Sequence, residues 1–492
     1  MPLLLNLSNY YDGQFKKSFS GSFRYKSAYY DYSFELPNSS IVDLKLMLSH
    51  AAHARKKVML LSFEERAAIL KRAAEAYVVT DEELDHVVKM TGMPRMYVKQ
   101  RADFGKIILQ LLPQMIGSRY GHKFGTITKE ILRNGNGIYR LTGYESHRSV
   151  DGIIAAFVPP NDPAEVPFLL GHMVMYGGAA IIKPSASEPY FAVKIAELLT
   201  NAGYPAGALN VIHWDTRDST RTHVSQELIR CSTHRIIMGG KQTADMLLKV
   251  VNDEGLCIEE HYSTGKNCIF SSGNSKAIVC PGSDVEETAR MLVEGAYEWT
   301  RDCVTTKSVF VVGEEMKVNL IHAIQRRLKD KKVGDPLDPA TEIGYNEDHE
   351  KIIQTIKGLV EFKYATLHFG EFTGITPFLI ETNSIHSPLL QQEFSYTLTI
   401  VPVQTVEEAV EKINEASATL DDKMSMAVSV FSPHKTMEEM HHAAPEQMNK
   451  LLTLRCHLLM YNKPSIMLNV FLRHQDMLLT EFLTQPMSIN HD

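Results

Sequence analysis

The chain has 492 residues, 44% hydrophobic and 22% charged, which is near the globular average. That length is enough for about two to four domains, each able to bury a core. Fifty-one Lys and Arg against 58 Asp and Glu give a net charge of −7, which excludes the basic footprint of a nucleic-acid binder. Six cysteines, at 231, 257, 268, 280, 303 and 456, form no Cys-x-x-Cys pair and are too sparse for a disulfide framework, so a reducing, cytoplasmic setting is expected. No run of about 18 apolar residues spans a membrane. The short apolar stretch Pro2–Leu5 lacks the basic flank and the length of a secretion signal.

Residues 1–40, rich in Tyr, Ser and Phe, read as short strands or an extended arm. A helical pattern opens at Ile41 and runs to about Lys57. Ser62 with Glu64 and Glu65, and Thr80 with Asp81 to Glu83, are helix starts: a hydroxyl cap followed by acids in the first turn. Residues 103–115 extend the helical layer. In 124–150, β-branched and aromatic residues flank Asn134-Gly135-Asn136-Gly137, whose Asn-Gly steps supply the positive φ of a tight hairpin.

Strands and helices then alternate. Strands are expected at 152–158, 179–182, 209–213, 235–238, 257–262 and 267–271, with helices at 164–176, 188–201, 223–230 and 243–252. This is the rhythm of βαβ units and a parallel sheet, with ligands at the carboxyl ends of the strands. A second series follows, with helices at 284–297, 314–328, 349–360 and 405–417 and strands at 308–312, 397–403 and 426–431. Residues 478–489 read as a final extended strand.

Several residues at these strand ends could carry chemistry. Asn161, after Pro159-Pro160, could donate its amide to a developing oxyanion. Lys183 and Ser185 end a strand and could bond ribose hydroxyls or phosphate. Gly239-Gly240 opens a helix, where backbone can approach a phosphate, although the segment lacks the first glycine and the Ser/Thr of a Walker loop. Each has a plainer reading as an ordinary turn. Cys303 lies between a helix and a strand, two residues from Arg301, a setting that favours thiolate; the other cysteines mostly sit in apolar runs. The pairs His50/His53 and His441/His442 have no third ligand nearby, so no metal site is expected.

Taken in order, Val158-Pro-Pro-Asn161, Ile182-Lys-Pro-Ser185, Ala202-Gly-Tyr-Pro205 with Leu209-Asn-Val-Ile212, Gly265-Lys-Asn267, Cys303 before Lys307-Ser-Val-Phe-Val311, and Lys332-Val-Gly-Asp-Pro336 resemble the aldehyde dehydrogenase superfamily from about residue 40 to 489. Phe482-Leu-Thr-Gln-Pro486 is similar to the last strand of its 1-pyrroline-5-carboxylate dehydrogenase branch. The resemblance implies an α/β fold with a Rossmann-like nucleotide domain (1–123 and 151–264), an α/β catalytic domain (265–476) and a β oligomerisation hairpin with a final strand (124–150 and 477–492) that joins a partner's sheet. It also implies NAD or NADP as cofactor, a small-molecule aldehyde as substrate and a homodimer or homotetramer. In the implied reaction the Cys303 thiolate attacks the aldehyde, Asn161 steadies the oxyanion and a glutamate activates water.

The sequence departs from the family pattern at four places. Counting back from Lys266, the base glutamate is replaced by Tyr262, with Glu260 two residues earlier as the substitute carboxylate. Gln392 stands for the nicotinamide-ribose glutamate, Thr300-Arg301 replaces the Gly-Gln before the nucleophile, and the late glycine-rich loop is missing around 470–475. Three readings follow: an NAD(P)-dependent dehydrogenase, a coenzyme A-acylating relative that needs no hydrolytic base, or a catalytically silent binding or assembly protein. Ala186 takes the place of a ribose-binding carboxylate three residues after Lys183, so strict use of NAD is not expected.

Overall fold

The computed structural model describes residues 5–120, 133–134, 137–138, 144–149, 152–239, 245–247, 266–270, 273–298, 305–345, 349–392, 394–420, 424–463 and 484–489. Elements are numbered in chain order.

The first sheet is built on β8 (Ile153–Val158), β9 (Ala179–Pro184), β10 (Leu209–Val211), β11 (His234–Met238) and β12 (Lys266–Phe270), all parallel in the order β12-β11-β8-β9-β10. The strands β8 and β9, Ile-Ile-Ala-Ala-Phe-Val and Ala-Ala-Ile-Ile-Lys-Pro, are almost unbroken apolar runs because both faces are covered. Ile154 and Ala156 face one core, while Ala155 and Phe157 face the other. On the first face lie α2 (Phe63–Ala76), α4 (Arg95–Tyr120), α5 (Glu165–Met175) and α6 (Tyr190–Asn201). On the second lie α1 (Ile41–Val58) and α7 (Thr222–Cys231). The N-terminal arm extends the sheet: β1 (Asn9–Tyr11) pairs antiparallel with β10, and β2 (Gln14–Lys16) with β1. A separate hairpin joins β3 (Ser22–Lys26) to β4 (Ser33–Pro37).

The expected helix starts form closed capping boxes. Ser62 Oγ accepts from Glu65 N while Glu65 Oε2 accepts from Ser62 N, and Thr80 and Glu83 repeat the arrangement before α3 (Asp81–Thr91). The helix α3 stops at Gly92, whose φ of +67° lies in the left-handed region; a Cβ there would meet the Tyr29 ring at 2.6 Å. Gly92→Ala is expected to cost at least about 1–2 kcal/mol, the penalty for left-handed backbone alone. Chemical denaturation of the full chain measures it, and an unchanged midpoint would contradict this account.

The second sheet has the order β15-β16-β17-β14-β13-β18-β19. Its strands are β13 (Ser275–Val279), β14 (Thr306–Val312), β15 (Thr366–Phe369), β16 (Phe378–Glu381), β17 (Thr397–Val403), β18 (Ser425–Phe431) and β19 (Cys456–Tyr461). They run parallel except for β15, which is antiparallel to β16. One face packs on α8 (Val285–Val293) and α9 (Glu314–Lys329). The other packs on α10 (His349–Glu361), α11 (Pro388–Gln391), α12 (Val406–Ser417), α13 (Met437–Ala443) and α14 (Pro445–Leu451).

The Asn-Gly segment is a hairpin as expected: β5 (Arg133–Asn134) and β6 (Gly137–Ile138) pair antiparallel, Asn134 opposite Gly137. The final strand is a strand as expected. From Thr484↔Ser149 to Ile489↔Tyr144, β20 (Thr484–Ile489) pairs antiparallel with β7 (Tyr144–Ser149) of the same chain.

Other differences are local. The helix α4 starts at Arg95 instead of 103 and runs through Pro113. The helix expected to 297 changes to a π-helical turn, Glu294–Glu298, after α8. β12 lies in the first sheet, so 266–270 moves from the expected second domain to the first, and the second sheet starts at Ser275. The expected strand 257–262 and most of the helix 243–252 lie outside the described residues.

Candidate active site

The carboxyl ends of β8 to β11 open onto one cleft of about 520 Å³. Val158 ends β8 and Pro160 follows it, Lys183 lies at the end of β9 with Ser185 just beyond, Trp214 follows β10 and Gly239 follows β11; Met246 and Leu247 add an apolar side. Parallel strands produce this by geometry: each crossover starts at a carboxyl end, and neighbouring crossovers that diverge leave a crevice between them. Of the expected cofactor residues, the structure brings Lys183, Ser185 and Gly239 to this one cleft.

Lys183 is the main electrostatic feature. Its side chain is 6% exposed; Nζ donates to the Pro184 carbonyl at 2.8 Å and lies 5.1 Å from the Trp214 ring centroid. Burial pushes its pKa down to about 8, against the pull of Asp215. His213, also buried, is pushed down to about 3 by burial and by the positive Lys183, so it is neutral near pH 7. Ser185 Oγ is 2.9 Å from Ser187 Oγ, and Ser185 N donates to the Val158 carbonyl, tying the β9 exit to the β8 exit.

Asn161 sits two residues beyond the cleft residue Pro159, on the loop between β8 and α5. Tyr97 Oη donates to its carbonyl at 3.2 Å. The next residue, Asp162, is buried, accepting from Arg101 Nε at 2.7 Å and from Ala164 N at 2.8 Å, with Arg101 Nη2 on its second oxygen. Two side chains of α4 thus fix the backbone on which Asn161 is carried. No sequence signal announces this clamp, because its partners lie 61 residues apart. Trp214 did have a signal: a tryptophan directly after an expected strand.

The remaining expected residues are not gathered here. Gln392 is exposed at the end of α11 in the second domain and does not line the cleft. Gly240, Glu260 and Cys303 lie outside the described residues; Cys303 falls between the π-helical turn and β14. The base candidates Tyr262 and Glu260 were counted back from Lys266 on the expected strand 257–262, which lies outside the described residues. The strand expected at 267–271 is β12, which begins at Lys266 opposite His234 and ends at Phe270. Among the described residues no group of three or more His, Cys, Asp or Glu converges to hold a metal, and no helix is long and apolar enough to cross a membrane.

Two α/β units, the first ending its parallel strands in a lysine-bearing cleft, define a nucleotide-binding domain joined to a catalytic domain. The Aldehyde dehydrogenase family profile matches residues 27–441, and the chain belongs to that family. Malonate-semialdehyde dehydrogenase of Halalkalibacterium halodurans is 24% identical over 281 residues, 54% of each chain; the chain spans about half the length of this curated relative. A solved NAD-dependent benzaldehyde dehydrogenase from Corynebacterium glutamicum superposes with a TM-score of 0.79 at 17% identity over 99% of both chains. A 3,6-anhydro-L-galactose dehydrogenase solved in complex with NAP superposes with a TM-score of 0.73 at 18% identity, over 93% of this chain and 91% of the other.

Proposed function

We propose that the protein oxidises a small-molecule aldehyde with NAD or NADP through a cysteine-bound intermediate. The observation that carries this reading is the cleft at the ends of β8 to β11. It presents a buried ammonium, Lys183, whose one hydrogen-bond acceptor among the described residues is the adjacent Pro184 carbonyl. That donor suits ribose hydroxyls or phosphate, and the apolar side at Met246 and Leu247 suits a base. The cofactor, when bound, supplies the hydride acceptor.

The chain's own residues do the rest. The Cys303 thiolate attacks the carbonyl carbon, and the negative charge gathers on the former carbonyl oxygen. The Asn161 side-chain amide donates to that oxygen, on a backbone fixed by Tyr97 and by the Arg101–Asp162 pair. Loss of hydride leaves a thioester on Cys303, and its acyl group leaves to water or to another thiol.

One observation favours acyl transfer to a thiol such as coenzyme A. β12 is parallel to its one neighbour, β11, so its carboxyl end lies at the same end of the sheet as the cleft, and its last residue, Phe270, is not a base. A hydrolytic base then has to come from elsewhere, with Glu260 the candidate. A nucleotide-reduction screen over a panel of aldehydes, with and without coenzyme A, separates the readings. Turnover without thiol supports hydrolysis, and turnover only with thiol supports acylation. Binding without turnover supports a silent member. Cys303→Ala is expected to lower turnover by roughly a thousandfold or more; an unchanged rate would overturn the covalent route.

A further inference from the structure

We propose that Trp214 determines specificity in this cleft: its indole face holds the Lys183 ammonium at the β9–β10 wall, so that the site selects a dinucleotide phosphorylated on the ribose over the unphosphorylated form. This rests on the dinucleotide reading of the cleft.

Two observations lead there. The first is that Trp214 is fixed. It is 1% exposed and packs with Phe157, Ile181, Ile212, Val224 and Leu247 in the core on one face of the first sheet. Its neighbours along the chain are tied to the N-terminal arm: His213 N donates to Asn9 Oδ1 at 3.0 Å and Asp215 N to Asn38 Oδ1 at 3.2 Å. The ring is therefore a wall that does not move aside.

The second observation is where Lys183 lies. A lysine has four rotatable carbons and, on an open surface, spreads over many rotamers. Here Nζ rests 5.1 Å from the ring centroid, within the range in which an aromatic face attracts a cation, and its hydrogen bond to the adjacent Pro184 carbonyl turns it back onto the chain. An ammonium held this way is already dehydrated and already at the cleft wall. A phosphate arriving there gains a charge-assisted bond without having to order the side chain. The acid that acts on Lys183, Asp215, is paired elsewhere: its carboxylate accepts Arg217 Nε at 2.9 Å and Nη2 at 3.1 Å, which offsets its charge. The lining residues Ser185, Ala186, Thr216 and Ser225 add no negative charge to the wall. A ribose bearing only hydroxyls takes no such benefit from the fixed charge.

The test is isothermal titration of the full chain with NADP and with NAD, using wild type, Trp214→Phe, Trp214→Leu, Lys183→Met and the Trp214→Leu/Lys183→Met double variant. Wild type is expected to bind NADP more tightly. Trp214→Leu should weaken NADP by roughly tenfold and change NAD by less than about twofold, while Trp214→Phe, which keeps an aromatic face, should keep most of the preference. The double variant should discriminate no worse than Lys183→Met alone, because the ring acts through the lysine. Thermal unfolding checks each variant, and Trp214→Phe remains informative if Trp214→Leu fails to fold. Equal loss of both nucleotides in Trp214→Leu assigns the ring a packing role and overturns the proposal, as does an undiminished NADP preference. Wild type that binds both nucleotides equally overturns it while leaving the dinucleotide reading in place. Wild type that binds neither overturns both.

Discussion

Arg101→Met is expected to destabilise the chain by about 3–5 kcal/mol, because it leaves a carboxylate buried without its cation. The side chains of Arg101 and Asp162 are 3% and 2% exposed, and their guanidinium–carboxylate contact is two-pronged. Removing the arginine strips Asp162 of two of its three donors among the described residues and leaves Ala164 N. Arg101→Lys restores charge but not the fork, so it is expected to recover part of the loss. Adding Asp162→Asn to Arg101→Met removes the orphaned charge, so the double variant should lose less than the two single losses combined. Chemical denaturation of all four variants reads these differences. A loss below about 1 kcal/mol for Arg101→Met would show that the pair is not the clamp described here. The same variants link stability to chemistry. The pair adjoins Asn161, so Arg101→Lys should lower turnover more than substrate affinity if Asn161 acts on the oxyanion.

The second large effect is pH dependence from Glu188. This carboxyl is buried at the start of α6, where Oε1 accepts Phe191 N at 3.1 Å, and burial pushes its pKa up to about 7. In the unfolded chain it titrates near 4.5. Between those two values the folded state holds the proton and the unfolded state does not. Stability therefore falls as pH rises through the window and levels off above about pH 7. At about 1.4 kcal/mol per tenfold change in proton affinity, the full loss is roughly 3 kcal/mol. Glu188→Gln keeps an acceptor for Phe191 and carries no charge. Relative to wild type it is expected to gain about 2–3 kcal/mol between pH 4.5 and pH 8. His213 works in the opposite direction, since a pKa pushed down to about 3 makes the folded state gain stability as pH rises toward 6.5. The difference between variant and wild type cancels that contribution. Unfolding free energies at four or five pH values decide the matter; parallel curves for the two proteins would refute the assignment.

The split between what was legible and what was not follows from the range of the forces involved. Local signals were read well. Ser62 and Thr80 cap their helices because a hydroxyl and an acid three residues on satisfy each other's backbone donors, a contact that needs no distant partner. The Asn-Gly step closes its hairpin because the turn sets the register by itself. The alternation of apolar strands with amphipathic helices fixed the parallel α/β class, and parallel strands bring their carboxyl ends to one side, so Lys183, Ser185 and Gly239 met at one cleft. What failed depended on pairing. β12 was expected at 267–271 and is found at Lys266–Phe270, but only its pairing with β11 places it in the first sheet. The final strand was readable as a strand, but its pairing with β7, far back in the same chain, is written in neither segment alone. Trp214 over Lys183 joins residues 31 apart in number, and Arg101 with Asp162 joins residues 61 apart. Such contacts come from packing two helical layers on one sheet, and nothing in either local sequence specifies them. Composition, caps and periodicity determined the class and the strand ends; tertiary packing alone decided which charges are buried, what they face and therefore how the cleft is tuned.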